Sequence, residues 1–176
     1  MNPYSDFSVP AFDAFLIWLS STELRLFFYR FEDFDWLFVF AHVLSAAILF
    51  GAILIVDLRI IGVMRELDIQ KLAKLALPWA IGATIVALSS GLVLLLFDPI
   101  AVGVHSFFLL KMALIVVGLA NALGFHWLVR LDGISSKRLA PVMGAVSIAL
   151  WAGVFLCATL NGTERISSTV HAEMTR

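Results

Sequence analysis

The sequence of 176 residues has little charge and a single cysteine. Charged residues make up 14% of the chain, against about 25% in a typical soluble domain, so an ordinary water-soluble fold is excluded. The formal net charge of −1 excludes the basic surface that binding to nucleic acid requires. Cys157 is the only cysteine, so one chain can build neither a disulfide nor a thiolate metal site.

The N-terminal part of the chain lacks the marks of a cleavable signal peptide. No Lys or Arg precedes its first apolar stretch, residues 14–19, and no small-residue cleavage site follows. That stretch is also too short to cross a bilayer. Residues 20–23 fit a capping box that restarts a helix near Leu24. We therefore predict that residues 1–33 form amphipathic helices lying at the membrane interface.

What the chain has in excess is apolar residues, which make up 61% of it and give a mean hydropathy of +0.99. They are grouped in four segments, each long enough for the roughly 20 residues that a spanning helix needs. The segments cover about 34–63, 72–97, 102–129 and 139–160. The predicted fold class is an all-α integral membrane protein. Its four-transmembrane-helix bundle occupies 34–160, and a polar C-terminal tail follows at 161–176.

The basic residues predict an orientation in the membrane. Seven of the twelve flank the first and third connections between spans, whereas the second connection, Asp98-Pro99, has none and four others lie near the termini. Because Lys and Arg near span ends favour the cytoplasm, both basic connections are expected there. Both termini should then lie on the outer side of the membrane. Pro78 and Pro141 are expected in the first turns of their helices, so no span is broken as transporter helices often are.

Three ionisable residues lie in the outer half or near the middle of the predicted spans, where such groups are costly and usually face the bundle interior. At about 1.5 Å per residue, His42 lies roughly 12 Å from the outer end of the first span. His105 lies about 5 Å from the outer end of the third, which leaves an axial offset of about 7 Å. Lys111 lies about 15 Å deep and should meet an acceptor. His42 and His105 are the candidate haem or metal ligands, with Lys111 as a partner for an anionic ligand group.

A second set of polar residues, Asp57, Arg59, Asn121 and His126, falls near the cytoplasmic ends of the same two spans. The simplest interpretation is structural. Asp57 and Arg59 can reach the cytoplasmic headgroups or pair with each other, and thereby fix the depth of the first span.

Helical periodicity indicates which residues of each span share one face and can point into the bundle. His42, Ser45, Ala46, Leu49, Ile53 and Val56 share one face of the first helix. On the third helix one candidate face contains His105, Leu109, Met112 and Val116, and an adjacent face contains Lys111, Gly118 and Ala122. Residues 89–91, Ser-Ser-Gly, lie at about the depth of His42, where small residues permit close helix approach or room for a flat ligand.

These residues resemble a bacterial family of inner-membrane proteins of unknown function. The resemblance is carried by His42 and by the Asp-Leu-Arg-Ile-Ile-Gly run at residues 57–62. It continues in Pro78-Trp79, Gly91, Phe108-x-x-Lys111, Asn121 and His126. More distantly, the chain is similar to the membrane domain of copper resistance protein D. The resemblance implies the architecture and marks these residues, but it implies no reaction.

Three functions fit the sequence. The leading hypothesis is a b-type haem or metal-binding subunit for electron transfer, because neutral imidazoles on facing helices hold haem in helical bundles. Its partners would be the lipid bilayer, other membrane or periplasmic redox proteins, and a second copy of the chain. The alternatives are a small-ion or copper transport component, and a structural or assembly subunit without chemistry. No nucleophile–base pair stands out, so we expect no catalytic residues and no enzymatic activity.

Overall fold

The computed structural model describes residues 9–103, 107–131 and 135–174, and these form helices joined by short connections. The helices are α1 (Pro10–Ser20), α2 (Glu23–Tyr29), α3 (Asp35–Ile61), α4 (Ile69–Phe97), α5 (Pro99–Gly103), α6 (Phe108–Leu131) and α7 (Ser135–Met174), with a 3₁₀ turn at Glu32–Phe34 before α3. Four segments are long and apolar enough to cross a membrane, at Glu32–Ile61, Ile69–Phe97, Phe108–Trp127 and Leu139–Thr163. The predicted all-α multi-pass membrane fold, with short helices before the bundle, is confirmed.

The helix ends follow from local capping chemistry. The Thr22 hydroxyl accepts a hydrogen bond from the backbone N–H of Arg25, so α2 begins at Glu23, close to the predicted restart near Leu24. The N-cap is Thr22, however, and Ser20 ends α1, so the predicted capping box over residues 20–23 does not form. Gly62 ends α3 with φ +97°, a left-handed conformation that glycine adopts without steric cost. The Asp68 carboxylate accepts hydrogen bonds from two backbone N–H groups in the first turn of α4.

Three helices begin about one turn or more away from the predicted starts of their spans. Because Asp68 caps α4 and α7 already begins at Ser135, Pro78 and Pro141 lie inside their helices rather than in the first turns. The third span does not run on from residue 102, because α5 ends at Gly103 and α6 begins at Phe108. Helix α7 also continues through the residues assigned to the polar tail, as far as Met174.

The four long helices share one apolar core. Helix α3 packs between α4 and α7, and α6 packs on the other side of α7. The buried core residues are Leu49, Ala83, Trp151 and Val154, with partly buried side chains of α3, α4 and α6 around them. The outward faces are apolar as well, with Ile85 and Val116 more than 60% exposed. Such a surface is stable against lipid rather than water.

The N-terminal helices cover one end of the bundle, the end at which α3 and α6 begin. We call it the His42 end, and the opposite end the Asp57 end. Helix α1 packs against α5, where the buried Leu16 lies so close to Gly103 that a Cβ at that glycine would come within 2.6 Å of it. Phe12 stacks on Phe108 at the start of α6, with 5.8 Å between ring centroids. Helix α2 packs against α4.

Candidate functional site

The His42 side chain lies between α3 and α4, on the face of α3 that the periodicity predicts. Its Nδ1 is 2.9 Å from the carbonyl oxygen of Ala87 and 3.3 Å from the hydroxyl of Ser90. Ser90 is buried, and its own hydroxyl donates to the carbonyl of Val86 at 2.6 Å. One turn along α3, the buried Ser45 donates to the His42 carbonyl. The imidazole is thus oriented by groups of a neighbouring helix.

These contacts determine which ring nitrogen of His42 is left for a ligand. A carbonyl oxygen only accepts hydrogen bonds, so Nδ1 must carry the hydrogen that it donates to Ala87. In the neutral ring Nε2 then has the lone pair. An Nδ1–H held by a backbone carbonyl is the arrangement that orients most metal-ligating histidines.

Gly91 permits this close approach of the imidazole to α4. A Cβ at residue 91 would lie 2.9 Å from Cε1 of His42 and 3.2 Å from Nδ1, closer than real side chains come. The sequence predicts small residues at this depth, but leaves open whether they admit a helix or a flat ligand. Here the imidazole itself occupies the space over Gly91.

Lys111 lies deeper in the bundle than His42. The Phe50 and Phe155 rings are 5.1 Å apart, and a Cβ at Gly153 would be 3.2 Å from Leu114. Phe50 of α3 and Phe155 of α7 therefore lie at one level, and so do Gly153 of α7 and Leu114 of α6. Counting about 1.5 Å per residue from these contacts places the Lys111 backbone about 10 Å deeper than that of His42. The Lys111 side chain is partly buried and lies in the neighbourhood of His42 on α3 and of Cys157 on α7.

The second proposed ligand, His105, lies outside the described residues. Of the two candidate faces of α6, the one that packs inward contains Lys111 and Gly118, and the Trp151 indole lies against Gly118. Val116, on the other face, is 66% exposed. Within the described ranges no three His, Cys, Asp or Glu side chains come together as a metal site. A haem needs only one or two imidazoles from the protein, so the described donor set fits one axial position.

At the opposite end of α3, the Asp57 side chain lies against α7 and is 7% exposed. The hydroxyl of Ser147 lies beside its carboxylate. Gly144 allows this close crossing, since a Cβ there would already be 3.4 Å from the Asp57 carbonyl oxygen and 3.3 Å from Ile60. Oδ2 of Asp57 is buried and makes no hydrogen bond to any described residue.

Asp57 and Arg59 do not pair with each other in the structure, while their predicted role in fixing the depth of the first span stays a prediction. Two residues along a helix correspond to about 200° of rotation, so the two side chains point in nearly opposite directions. Arg59 instead donates from Nε to the carbonyl oxygen of Leu67 in the following connection. Sequence reasoning does not predict that Ser147 of α7 lies beside Asp57. The signal for this pairing is Gly144-x-x-Ser147, a small and a polar residue one turn apart on α7.

The remaining predicted structural residues lie on α6. Asn121 donates from Nδ2 to the carbonyl oxygen of Met143 at 3.2 Å and so links α6 to α7. His126, five residues further on, is exposed. These two residues therefore contribute no ligand atom to the space around His42.

Comparison with protein-family models, with curated proteins and with solved structures finds no match to this chain. The resemblance to the inner-membrane family, and more distantly to copper resistance protein D, stays a prediction carried by the residues named for it. The function is therefore inferred from the side chains around His42.

Proposed function

We propose that this multi-pass membrane protein is an electron-transfer subunit of the bacterial inner membrane that binds a b-type haem through Nε2 of His42. One observation carries the proposal: the Nδ1–H of His42 is held by the Ala87 carbonyl, which leaves Nε2 with its lone pair. Haem, when bound, supplies a one-electron redox centre. The protein supplies an imidazole whose tautomer and orientation are fixed by α4.

The surrounding residues support this role for His42. Ser90 and Gly91 lie nearer to Nδ1 than to Nε2, which is 3.9 Å from a Cβ built at Gly91 against 3.2 Å for Nδ1. Lys111 supplies a positive charge deeper between the helices, and its role would be to bind a carboxylate of the ligand. His105 stays the predicted second axial ligand.

The basic residues of the connections support an orientation. Arg59 and Arg65 follow the first span and Lys71 and Lys74 begin the second, all at the Asp57 end. That end would face the cytoplasm, and the His42 end and both termini would face the periplasm. The exposed aromatic residues of α1 and α2 would then lie at the periplasmic interface. Periplasmic or membrane-bound redox proteins are the partners that this arrangement would serve.

A second candidate function is supported by the same contacts. His42 already contacts Ala87, Ser90 and Gly91, so it could hold α3 against α4 in a structural subunit without bearing a ligand. The transport alternative gains no support at this end, because the described residues assemble no group of three metal ligands there.

Absorption spectroscopy of the detergent-purified protein tests the haem proposal. The oxidised and dithionite-reduced protein should show a Soret band that shifts on reduction and is lost in His42→Ala. His126→Ala is the matched control, because it removes an exposed imidazole and should keep the band. A colourless wild-type protein, expressed with haem in supply, would contradict the proposal.

The variant His42→Gln separates the two candidates. A glutamine amide can donate to the Ala87 carbonyl, so the helix contact survives, but an amide is a poor haem ligand. Under the haem proposal this variant folds like the wild type and loses the Soret band. If wild type and variant are equally colourless and equally stable, His42 is a helix-packing residue.

A further inference from the structure

The Asp57 end contains a buried acidic group that the haem proposal does not use. Asp57 lies fifteen residues after His42 on α3, which places it about 22 Å away along the helix. Its side chain is more than nine-tenths buried, and Oδ2 has no hydrogen-bond partner among the described residues. Such atoms are uncommon in folded proteins and call for an explanation.

The groups around Asp57 do not neutralise its charge. On α3 itself, Arg59 is directed to the Leu67 carbonyl. On α4, Lys71 and Lys74 are both exposed. From α7, the neutral hydroxyl of Ser147 lies beside the carboxylate, and no charged side chain of the described part of the chain joins it. The side chains of residues 128–138 lie outside the described set.

A lone carboxylate is costly in such surroundings. Transfer of an unpaired ionised group into an apolar medium is so unfavourable that a buried charge is normally paired or lost. Ser147 offers one neutral hydroxyl, which cannot balance a full negative charge. Since no described side chain supplies the missing positive charge, a small cation at Oδ2 would account for the buried carboxylate.

We propose that Asp57 and Ser147 form a binding site for an exchangeable monovalent cation, either a proton or an alkali ion, between α3 and α7. The cation binds Oδ2 of Asp57, and the Ser147 hydroxyl supplies a neutral oxygen next to it. Gly144 allows α7 to approach closely enough for Ser147 to take part. Asp57 lies four residues before the end of α3, about 6 Å along the axis, so the cation exchanges with water at that end.

Labelling with dicyclohexylcarbodiimide tests this site, because this apolar reagent enters membranes and reacts with protonated carboxyl groups. The full-length protein is treated in detergent or liposomes over a range of pH, with and without sodium, and mass spectrometry locates the adduct. We expect an adduct on Asp57 whose rate of formation falls as pH rises. The exposed carboxylates Glu66 and Asp98 are internal controls and should react much less.

The sodium series identifies the ion. If sodium suppresses labelling of Asp57 at constant pH, the site binds an alkali ion in competition with the proton. If sodium has no effect, the site binds the proton alone. Ser147→Ala should weaken any sodium protection several-fold while the adduct still forms, and Asp57→Asn should lose the adduct.

Two results would overturn the proposal. Absence of labelling at every pH would show that Asp57 is paired with a fixed positive group of the protein. Labelling at a rate independent of pH and sodium would show a carboxyl group that exchanges no cation. Neither readout uses absorption by haem, so the outcome is independent of the test of His42.

Discussion

The two ends of α3 differ in how a polar side chain is hydrogen-bonded by the neighbouring helix. At the His42 end the imidazole is held by a carbonyl, a hydroxyl and a glycine of α4. At the Asp57 end the carboxylate is buried against α7 beside one serine, and one of its oxygens has no hydrogen-bond partner in the described part of the chain. Helix α1 packs over the first end through Leu16 and Gly103, whereas in the described chain no such helix covers the second.

The comparison of His42 with Asp57 shows that burial alone does not identify a functional residue. His42 is less buried than Asp57, yet its hydrogen-bond pattern selects the atom that is left for a ligand. Asp57 is informative for the opposite reason, because no described side chain supplies a positive charge to its buried carboxylate. The site at His42 is thus identified by its hydrogen bonds, and the site at Asp57 by a buried oxygen that no described residue hydrogen-bonds.

The largest effect should come from the core that both ends share. Trp151 is 4% exposed, belongs to the same buried cluster as Leu49 and Ala83, and lies against Gly118, so Trp151→Ala should cost about 3–5 kcal/mol of unfolding free energy. Because the core supports both ends, haem content and Asp57 labelling should fall together. Trp79→Ala, at a position 64% exposed, is the control and should lose much less. Denaturant titration in detergent measures both, and equal losses would contradict the assigned core.

The next effect separates the two ends. Gly91→Ala places a methyl group 2.9 Å from the His42 ring, so we expect a loss of about 1–3 kcal/mol and a displaced imidazole. Gly82→Ala, on the same helix with nothing within 4 Å, should be neutral or slightly stabilising. Thermal unfolding measures stability, and labelling of Asp57 should be unchanged in both variants. A Gly91→Ala protein as stable as Gly82→Ala would refute the contact.

A smaller effect, of the opposite sign, is expected at the Asp57 end. Asp57→Asn removes the charge but keeps an oxygen for Ser147, so stability should be unchanged or higher by up to about 1 kcal/mol. The same denaturant titration measures it, with Asn121→Asp as a reference that introduces a charge on α6. A loss of several kcal/mol in Asp57→Asn would indicate that the carboxylate is engaged in a fixed ion pair.

The smallest effect tests the link between α6 and α7. Asn121→Leu removes the hydrogen bond to the Met143 carbonyl, and such bonds between membrane helices contribute about 0.6 kcal/mol on average. Neither haem content nor Asp57 labelling should change, because Asn121 contacts neither site. A change in either readout would show that the two ends are coupled through α6.

The sequence predicts the coarse fold well and the partners of the polar residues poorly. Four apolar blocks suffice to predict four spans, because lipid demands about 20 apolar residues from each. Helix starts are less accurate, since the Asp68 cap lies a turn before the apolar block and Pro78 is tolerated inside α4. Asp57 contacts α7 rather than solvent because α7 packs beside α3, and the sequence does not show which helix does so. Periodicity gives the direction of a side chain but not its neighbour.

The His42 site was partly predictable for the same reason. Its position in the first span and the small residues at its depth are visible in the sequence, but the contact of the ring with Gly91 depends on the packing of α3 on α4. Counting residues from the ends of the predicted spans puts Lys111 only slightly deeper than His42. The contacts between the helices place it about 10 Å deeper.

The most direct test of the central claim replaces the side chain of His42 by free imidazole. His42→Gly should abolish the Soret band, and millimolar-range imidazole, a small ligand able to enter the space left by the side chain, should restore it. His126→Gly is the control for the cost of a glycine in a helix, about 0.5–1 kcal/mol, and should keep the band without imidazole. Haem retained in His42→Gly without imidazole, or a wild-type protein that binds no haem, would contradict the account.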